Sequence, residues 1–310
     1  MRTVLLDDRQ AERLNGGLAW ARAGMSALRV RGAEAGGFLH GILTQHMKEH
    51  EAGKARFAAM LTPQGKVLFD LEVVPEEDGV LLLIASDRLE ALTAKLNMYK
   101  LRTPVAIEPT DLTVMEVLGG LPRWQEGEVG DLIVEGAVRI TALWGRRHRV
   151  VGPEAAVAKL MDEIADQGGQ ELPALITASR IVDGIGTPGV DWQPEQALAL
   201  ELNLDQRNAV HFNKGCYVGQ EMTARTHFRG NLKRRLMLVE GRGIPDKDGV
   251  VMAAGHEVGT LTSRVCLPDG RDIALGMLKL DAFEEGQPTP EVDGVPLKRL
   301  RAPYEIAHTL

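Results

Sequence analysis

The stretch Lys214-Gly215-Cys216-Tyr217-Val218-Gly219-Gln220-Glu221-Met222-Thr223-Ala224-Arg225 carries more information than any other part of the chain. Two glycines bracket a cysteine and an aromatic residue. Glycine lets a backbone take positive φ or approach a neighbour closely. After Gly219, Gln220 to Phe228 read as a helix, so Cys216 falls just ahead of a helix N-terminus. The positive end of a helix dipole and a nearby cation both favour thiolate over thiol. Lys214, His211, Arg225 and His227 are all close in sequence. Cys216 is therefore a candidate functional thiol. The competing reading is a small buried core residue, which a free cysteine often is. Cys266, between Val265 and Leu267, reads as plain core of a strand.

Upstream of this stretch the chain alternates strands and helices. Ser26 to Arg31 reads as a strand ended by Gly32, and Glu34 to Leu43 as a helix with Phe38, Leu39, Ile42 and Leu43 on its apolar side. Phe57 to Leu61, the turn Pro63-Gln64-Gly65 and Lys66 to Val74 make a hairpin, and Val80 to Ala85 a third strand. Asp87 and Glu90 form a predicted capping box for a helix whose stripe is Leu89, Leu92, Leu96 and Tyr99. A second α+β stretch follows. It has strands near Leu112 to Val117, Val138 to Leu143 and His148 to Val151, a helix starting at Pro153, and another from Leu172 to Val182. Gly184 to Gln196 is a long Gly- and Pro-bearing loop, of a kind usually functional in a compact domain. From Arg235 onward short alternating runs separated by turns predict a small β-barrel. The linear division is thus 1–110, 111–230 with the cysteine motif, and 231–310. The fold class is α+β.

Composition narrows the partners. The net charge of −7 argues against a surface that coats nucleic acid, although Arg225, Arg229, Lys233, Arg234 and Arg235 cluster locally. Such a cluster suits an acidic tail or partner, or simply a solvated surface. Two separated cysteines give neither a disulfide framework nor a Cys-rich metal site, and no metal is expected. The longest apolar run, Val80 to Ala85, is far shorter than the roughly 20 residues of a membrane helix. No signal-peptide pattern is seen, so the expected setting is a bacterial-type cytoplasm with no membrane partner.

The pattern K-G-C-Y-x-G-Q-E followed by A-R resembles the signature of the YgfZ-type folate-binding proteins, which are relatives of the glycine-cleavage aminomethyltransferase. The likeness spans nearly the whole chain. Val30-Arg31-Gly32-Ala33-Glu34-Ala35, Leu61-Thr62-Pro63-Gln64-Gly65-Lys66, Arg180-Ile181-Val182-Asp183-Gly184-Ile185 and Gly259-Thr260-Leu261-Thr262-Ser263 fall in the family's order and spacing. The resemblance implies two intertwined α+β subdomains and a C-terminal β-barrel around a central channel. It implies tetrahydrofolate, or another reduced folate, in that channel. The implied role is support of iron–sulfur cluster assembly or repair, with iron–sulfur client or assembly proteins as partners, tRNA-modifying enzymes among them.

The same resemblance implies site residues. Lys214, Gly215, Cys216, Tyr217, Gly219, Gln220, Glu221 and Arg225 form the motif. Asp191 stands where the transferase's pterin-binding glutamate falls, and a carboxylate is a natural bidentate partner for a pterin edge. The alternative for Asp191 is an ordinary turn residue. Trp192 is a stacking wall or a loop anchor. Tyr99 and Arg102 close the first unit and are candidates to line the channel, with core as the other reading for Tyr99. Arg225 is a candidate for the folate tail.

One departure bears on catalysis. Where the transferase has two adjacent aspartates, this chain reads Phe69-Asp70. Phenylalanine takes no proton, and Asp70 would serve only after a slip of the strand that turns it to the other face. Aminomethyl transfer is disfavoured on that ground. A folate-dependent one-carbon transferase is the alternative reading, and an RNA or protein scaffold using the basic cluster is a third.

Overall fold

The computed structural model describes residues 1–48, 53–124, 127–230, 232–247 and 249–304. Three sheets organise them. In the first, the strands Arg56–Leu61, Val67–Glu76, Gly79–Ala85, Met25–Arg31 and Ala106–Pro109 lie side by side in that order, all antiparallel. The second runs Gln170–Glu171, Ala19–Arg22, Thr113–Leu118, Arg147–Gly152, Val138–Ala142 and Leu132–Glu135. The third has eight strands and contains the long members Arg234–Arg242, His256–Cys266 and Arg271–Lys279.

Alternation along the strands dictates the layers. One face of the first sheet sends Leu28, Val30, Val80, Leu82 and Ile84 against the helices Ala35–His40 and Leu89–Lys100. Its other face sends Ala27, Val74, Leu81 and Leu83 against Val114 and Val151 of the second sheet. The second sheet's outer face packs on the helix Glu154–Asp166, whose Val157, Leu160, Met161 and Ile164 recur at helical spacing. The layers are therefore helix, sheet, sheet, helix. The third sheet encloses its own core of Met237, Val239, Val251, Val258, Ala274 and Leu278. Its opposite face packs Leu236, Leu238, Val265 and Leu275 on Ile176 and Ile181 of the helix Pro173–Val182.

The N-terminal residues cross the linear division of the chain. Ala19–Arg22 pairs with Thr113–Leu118 in the second sheet, and Arg2–Leu5 runs parallel to Ser263–Cys266 in the third. Only from Met25 does the chain enter the first sheet. The predicted capping box at Asp87 is absent. A 3-10 turn, Ser86–Arg88, leads into the helix Leu89–Lys100, and no side chain caps it. The capping box instead lies at Asp7 and Gln10, on the helix Asp8–Gly16 that the apolar pattern does not reveal because it buries no residue.

Candidate functional site

Phe69 and Asp70 decide how the site is built. The pairing of Arg56–Leu61 with Val67–Glu76 matches Leu61 to Val67 but Met60 to Phe69, so Leu68 is a bulged residue. Beyond the bulge, Phe69 packs into the first core while Asp70 and Glu72 line a cavity of about 400 Å³. Asp70 thus faces the cavity and is not an exposed strand residue.

The cavity lies where the three sheets meet. Phe57 and Trp144 form an aromatic wall, with ring centroids 4.5 Å apart. Arg207 lies over Trp144, its guanidinium carbon 5.2 Å from the ring centroid. Arg147, Arg149 and Arg180 also face the cavity. Behind them Glu116, 1% exposed, accepts from Arg147 at 2.6 Å and from Arg149 at 2.7 Å. Asp183 accepts from Arg147 at 2.6 Å, and Glu72 Oε2 accepts from Arg149 Nε at 3.1 Å. Glu72 Oε1 is buried and has no partner.

Burial pushes the Asp70 and Glu72 carboxyls up from the ordinary range, against the pull of neighbouring guanidiniums. Glu116 goes the other way. Burial also raises it, but Arg149 and Arg147 together outweigh burial and hold it well below the usual carboxylate range.

None of the residues expected at the folate site lines this cavity. Asp191 is 4% exposed and fully engaged. Its Oδ2 accepts from Thr187 N at 2.7 Å, and its Oδ1 from Thr262 at 2.7 Å and Ser263 at 2.6 Å. It ties the 184–196 loop to the third sheet. Trp192 is a core residue, packed among Leu200, Leu202 and Tyr217. Tyr99 leans on the first core with Lys95 over its ring, and Arg102 is exposed on the surface. Arg225 projects from the helix Gln220–Arg229 into surface grooves beside Met222 and Phe228.

The motif itself forms a compact loop. Gly219 takes φ +81 and opens the helix, and Gln220 and Glu221 form its first turn. A Cβ on Gly219 would collide with the Thr62 carbonyl oxygen and lie 2.8 Å from Leu61 Cβ. The motif is therefore seated against the turn of the first hairpin. Tyr217 is buried, and burial pushes its hydroxyl up to about 12.

Lys214 does not reach toward the cysteine. Its ammonium is buried and donates to three backbone carbonyls: His40 at 2.6 Å, Leu43 at 2.6 Å and Gln45 at 2.9 Å. Burial pushes its pKa down to about 8. Lys214 thus fastens the motif to the end of the helix Ala35–His40. Lys214→Met leaves those carbonyls without a donor. It is expected to lower unfolding free energy by about 3 kcal/mol in urea melts. Cys216 is exposed, and Gly215 beside it sits against the His40 ring.

Three histidines gather under this loop. His40 and His46 have ring centroids 4.7 Å apart, and His46 and His211 5.5 Å. Burial pushes His40 down to about 4, reinforced by the charge of Lys214. The unfolded chain therefore takes up the His40 proton first. The stability this neutral ring provides is complete above about pH 6.5 and declines as the pH falls toward about 4. Urea melts across that window should show a smaller decline for His40→Gln than for the wild type.

These features sit on a fold already known. The chain superposes on the glycine cleavage system aminomethyltransferase T from Bartonella henselae with a TM-score of 0.81, over 95% of this chain and 88% of that one, at 16% identity. It has that aminomethyltransferase-like fold, with a nearly closed C-terminal β-barrel. Residues 233–303 match the CAF17 C-terminal beta-barrel domain. The chain is 32% identical to the mouse protein "Iron-sulfur cluster assembly factor IBA57, mitochondrial", across 76% of this chain and 70% of the mouse protein. The chain belongs to the IBA57 family of iron–sulfur cluster assembly factors. The human IBA57 protein is likewise 32% identical, across 78% of this chain and 74% of its own length. IBA57 proteins are relatives of the YgfZ-type proteins that the cysteine motif resembles. The mouse, human and Coccidioides immitis IBA57 proteins are all mitochondrial. That overturns the bacterial cytoplasm expected from the sequence.

The sequence reading admits Asp70 only through a strand slip, and the residues it misses are Glu72, Glu116, Arg147, Arg149, Arg180 and Arg207. A signal was present. Glu72 and Glu116 interrupt otherwise apolar strand runs, Leu71-Glu72-Val73-Val74 and Val114-Met115-Glu116-Val117-Leu118. A charge in a run buried on both faces must be paired or functional.

Proposed function

We propose that this IBA57-family chain holds a reduced folate in the cavity beside Asp70 and presents Cys216 to an iron–sulfur partner. The observation that carries the reading is the cavity itself. Its volume of about 400 Å³ suits a pterin with its aromatic extension, and its lining is polar where such a ligand is polar. Phe57 and Trp144 offer ring faces for a pterin to stack on. Glu72 Oε1 is a buried acceptor that lacks a donor, and Asp70 lines the same cavity. These carboxylates would hold the amidine-like edge, the role first given to Asp191. A bound reduced folate supplies a reducing pteridine and a carrier for one-carbon units. The protein's own residues orient it, and the sheets around it exclude water.

Cys216 enters through its position. The segment carrying Leu204, Arg207 and Ala209 lines the cavity and continues to the motif, so the thiol is placed on the surface by the same piece of chain. An exposed cysteine sulfur is a soft ligand for iron in a partner's cluster. The partners in this reading are iron–sulfur client or assembly proteins, tRNA-modifying enzymes among them.

Titration with 5-formyltetrahydrofolate, followed by intrinsic fluorescence, tests the cavity. Wild type should bind. Asp70→Asn should weaken binding by about tenfold, the worth of one charged hydrogen bond. Asp191→Asn, if folded, should bind as wild type does. Absence of binding by wild type would remove the folate from the reading.

A second reading is a folate-dependent one-carbon transferase, and Asp70 is the observation that favours it. Its raised carboxyl faces the cavity, where a proton acceptor would stand. Turnover of a methylamine donor in the presence of tetrahydrofolate, lost in Asp70→Asn, distinguishes that reading from an assembly role without turnover.

A further inference from the structure

Arg180 and Arg207 stand apart from the other cavity guanidiniums, and Arg207 rests on the face of the Trp144 ring. Among the described residues neither makes a side-chain hydrogen bond or an ion pair. Arg207 Nε is buried without any acceptor. Of the carboxylates nearby, Asp70 attracts both across the cavity without a hydrogen bond to either, and the others are committed elsewhere. Glu116 spans Arg147 and Arg149, Asp183 holds Arg147, and the engaged oxygen of Glu72 holds Arg149. Burial pushes both Arg180 and Arg207 below their ordinary values, against the pull of Glu116 on Arg180 and of Tyr304, Asp70 and Glu72 on Arg207.

A buried cation without acceptors is costly, and a fold that keeps two of them in one cavity needs a reason. A guanidinium presents five N–H donors in a plane, and its best partner is an oxyanion that takes two of them at once. A neutral ring edge does not balance the charge. We infer that Arg180 and Arg207 form a seat for a carboxylate of the ligand bound in this cavity. The inference deepens the reduced-folate reading and takes from it the identity of that carboxylate, which belongs to the glutamate tail. The ligand class is then a pterin joined to an anionic tail, not a free pterin. The surface residue Arg225, expected at the tail, lies on a different face of the protein.

Three probes separate the inference from the reading it rests on. 5-Formyltetrahydrofolate carries both pterin and tail, 6-methyltetrahydropterin only the pterin, and p-aminobenzoyl-glutamate only the tail. Each is titrated by calorimetry into wild type and into Arg180→Met, Arg207→Met and the double variant, with circular dichroism to verify folding. Wild type should bind the two tail-bearing probes. Each single variant should weaken them by about tenfold and the double variant by about a hundredfold, with binding of 6-methyltetrahydropterin unchanged. Should the variants not fold, wild type alone decides. The dimethyl ester of p-aminobenzoyl-glutamate should then bind at least tenfold more weakly than the free diacid. Folded variants that bind 5-formyltetrahydrofolate as wild type does, or an ester as tight as the diacid, overturn the seat and leave the folate reading standing. Arginine-dependent binding of the tail probe without binding of the folate keeps the seat and removes the folate. Absence of binding by all three probes overturns both.

Discussion

Glu116→Ala is expected to lower the unfolding free energy by about 3–5 kcal/mol, the range for breaking a buried ion pair by removing one partner. The size follows from what Glu116 serves. It is the shared acceptor of Arg147 and Arg149, which are 2% and 8% exposed. Alanine leaves two guanidiniums buried with only Asp183 and one oxygen of Glu72 between them. Water reaches such a site poorly, so the desolvation already incurred is no longer offset. Replacing all three members with apolar residues should not recover the loss, because Asp183 and Glu72 would then be buried carboxylates without their arginines. Urea unfolding of the wild type, the single variant and the triple variant checks both statements. A Glu116→Ala loss below 1 kcal/mol would show that the network relaxes around the gap. The loss should also carry a structural signature. The network forms one wall of the cavity, so the variant should bind the cavity probes more weakly even where it remains folded.

The second large effect concerns Cys216. Cys216→Ala is expected to abolish the ability of this chain to restore iron–sulfur enzyme activity in a strain lacking its own factor, with little change in stability. The stability half follows from exposure: the thiol buries no surface and its removal leaves no cavity. The functional half follows from the proposed role as the thiol offered to a partner. The motif around it is rigid. Gly219 and the hairpin turn leave no room for each other to shift, and Lys214 is fastened to three carbonyls. A fixed, exposed thiol on a braced loop is well placed for a contact that requires geometry. Complementation to wild-type levels by Cys216→Ala, at matched protein abundance, would end the proposal.

Much of the architecture could be read from the chain. The hairpin around Pro63-Gln64-Gly65, the run Val80 to Ala85 and the stripe Val157, Leu160, Met161, Ile164 each carry their own periodicity, and the structure has strands and helices at those places. The helix after Gly219 is equally legible, because glycine at positive φ followed by good helix formers marks a start. The candidate site was harder for a physical reason. Whether a strand residue faces core or cavity depends on register, and a single bulge at Leu68 reverses it for Asp70. Whether a loop carboxylate is available to a ligand depends on donors far away in sequence. Asp191 is consumed by Thr262 and Ser263 of the third sheet, which no local pattern announces. Lys214 was read as a cation for Cys216, but its side chain runs to a helix end contributed by the first unit. The helix Asp8–Gly16 escaped because it offers the core little more than Leu14, too little for a visible apolar stripe.

The parallel pairing of Arg2–Leu5 with Ser263–Cys266 has a consequence for biosynthesis. Arg2–Leu5 is made long before the strand it pairs with. Val4 and Leu6 share a core with the helix Pro173–Val182 as well as the third sheet, so their burial waits for chain made much later. Arg2 also borders the cavity. The cavity wall is therefore complete only once that long-range pairing has formed.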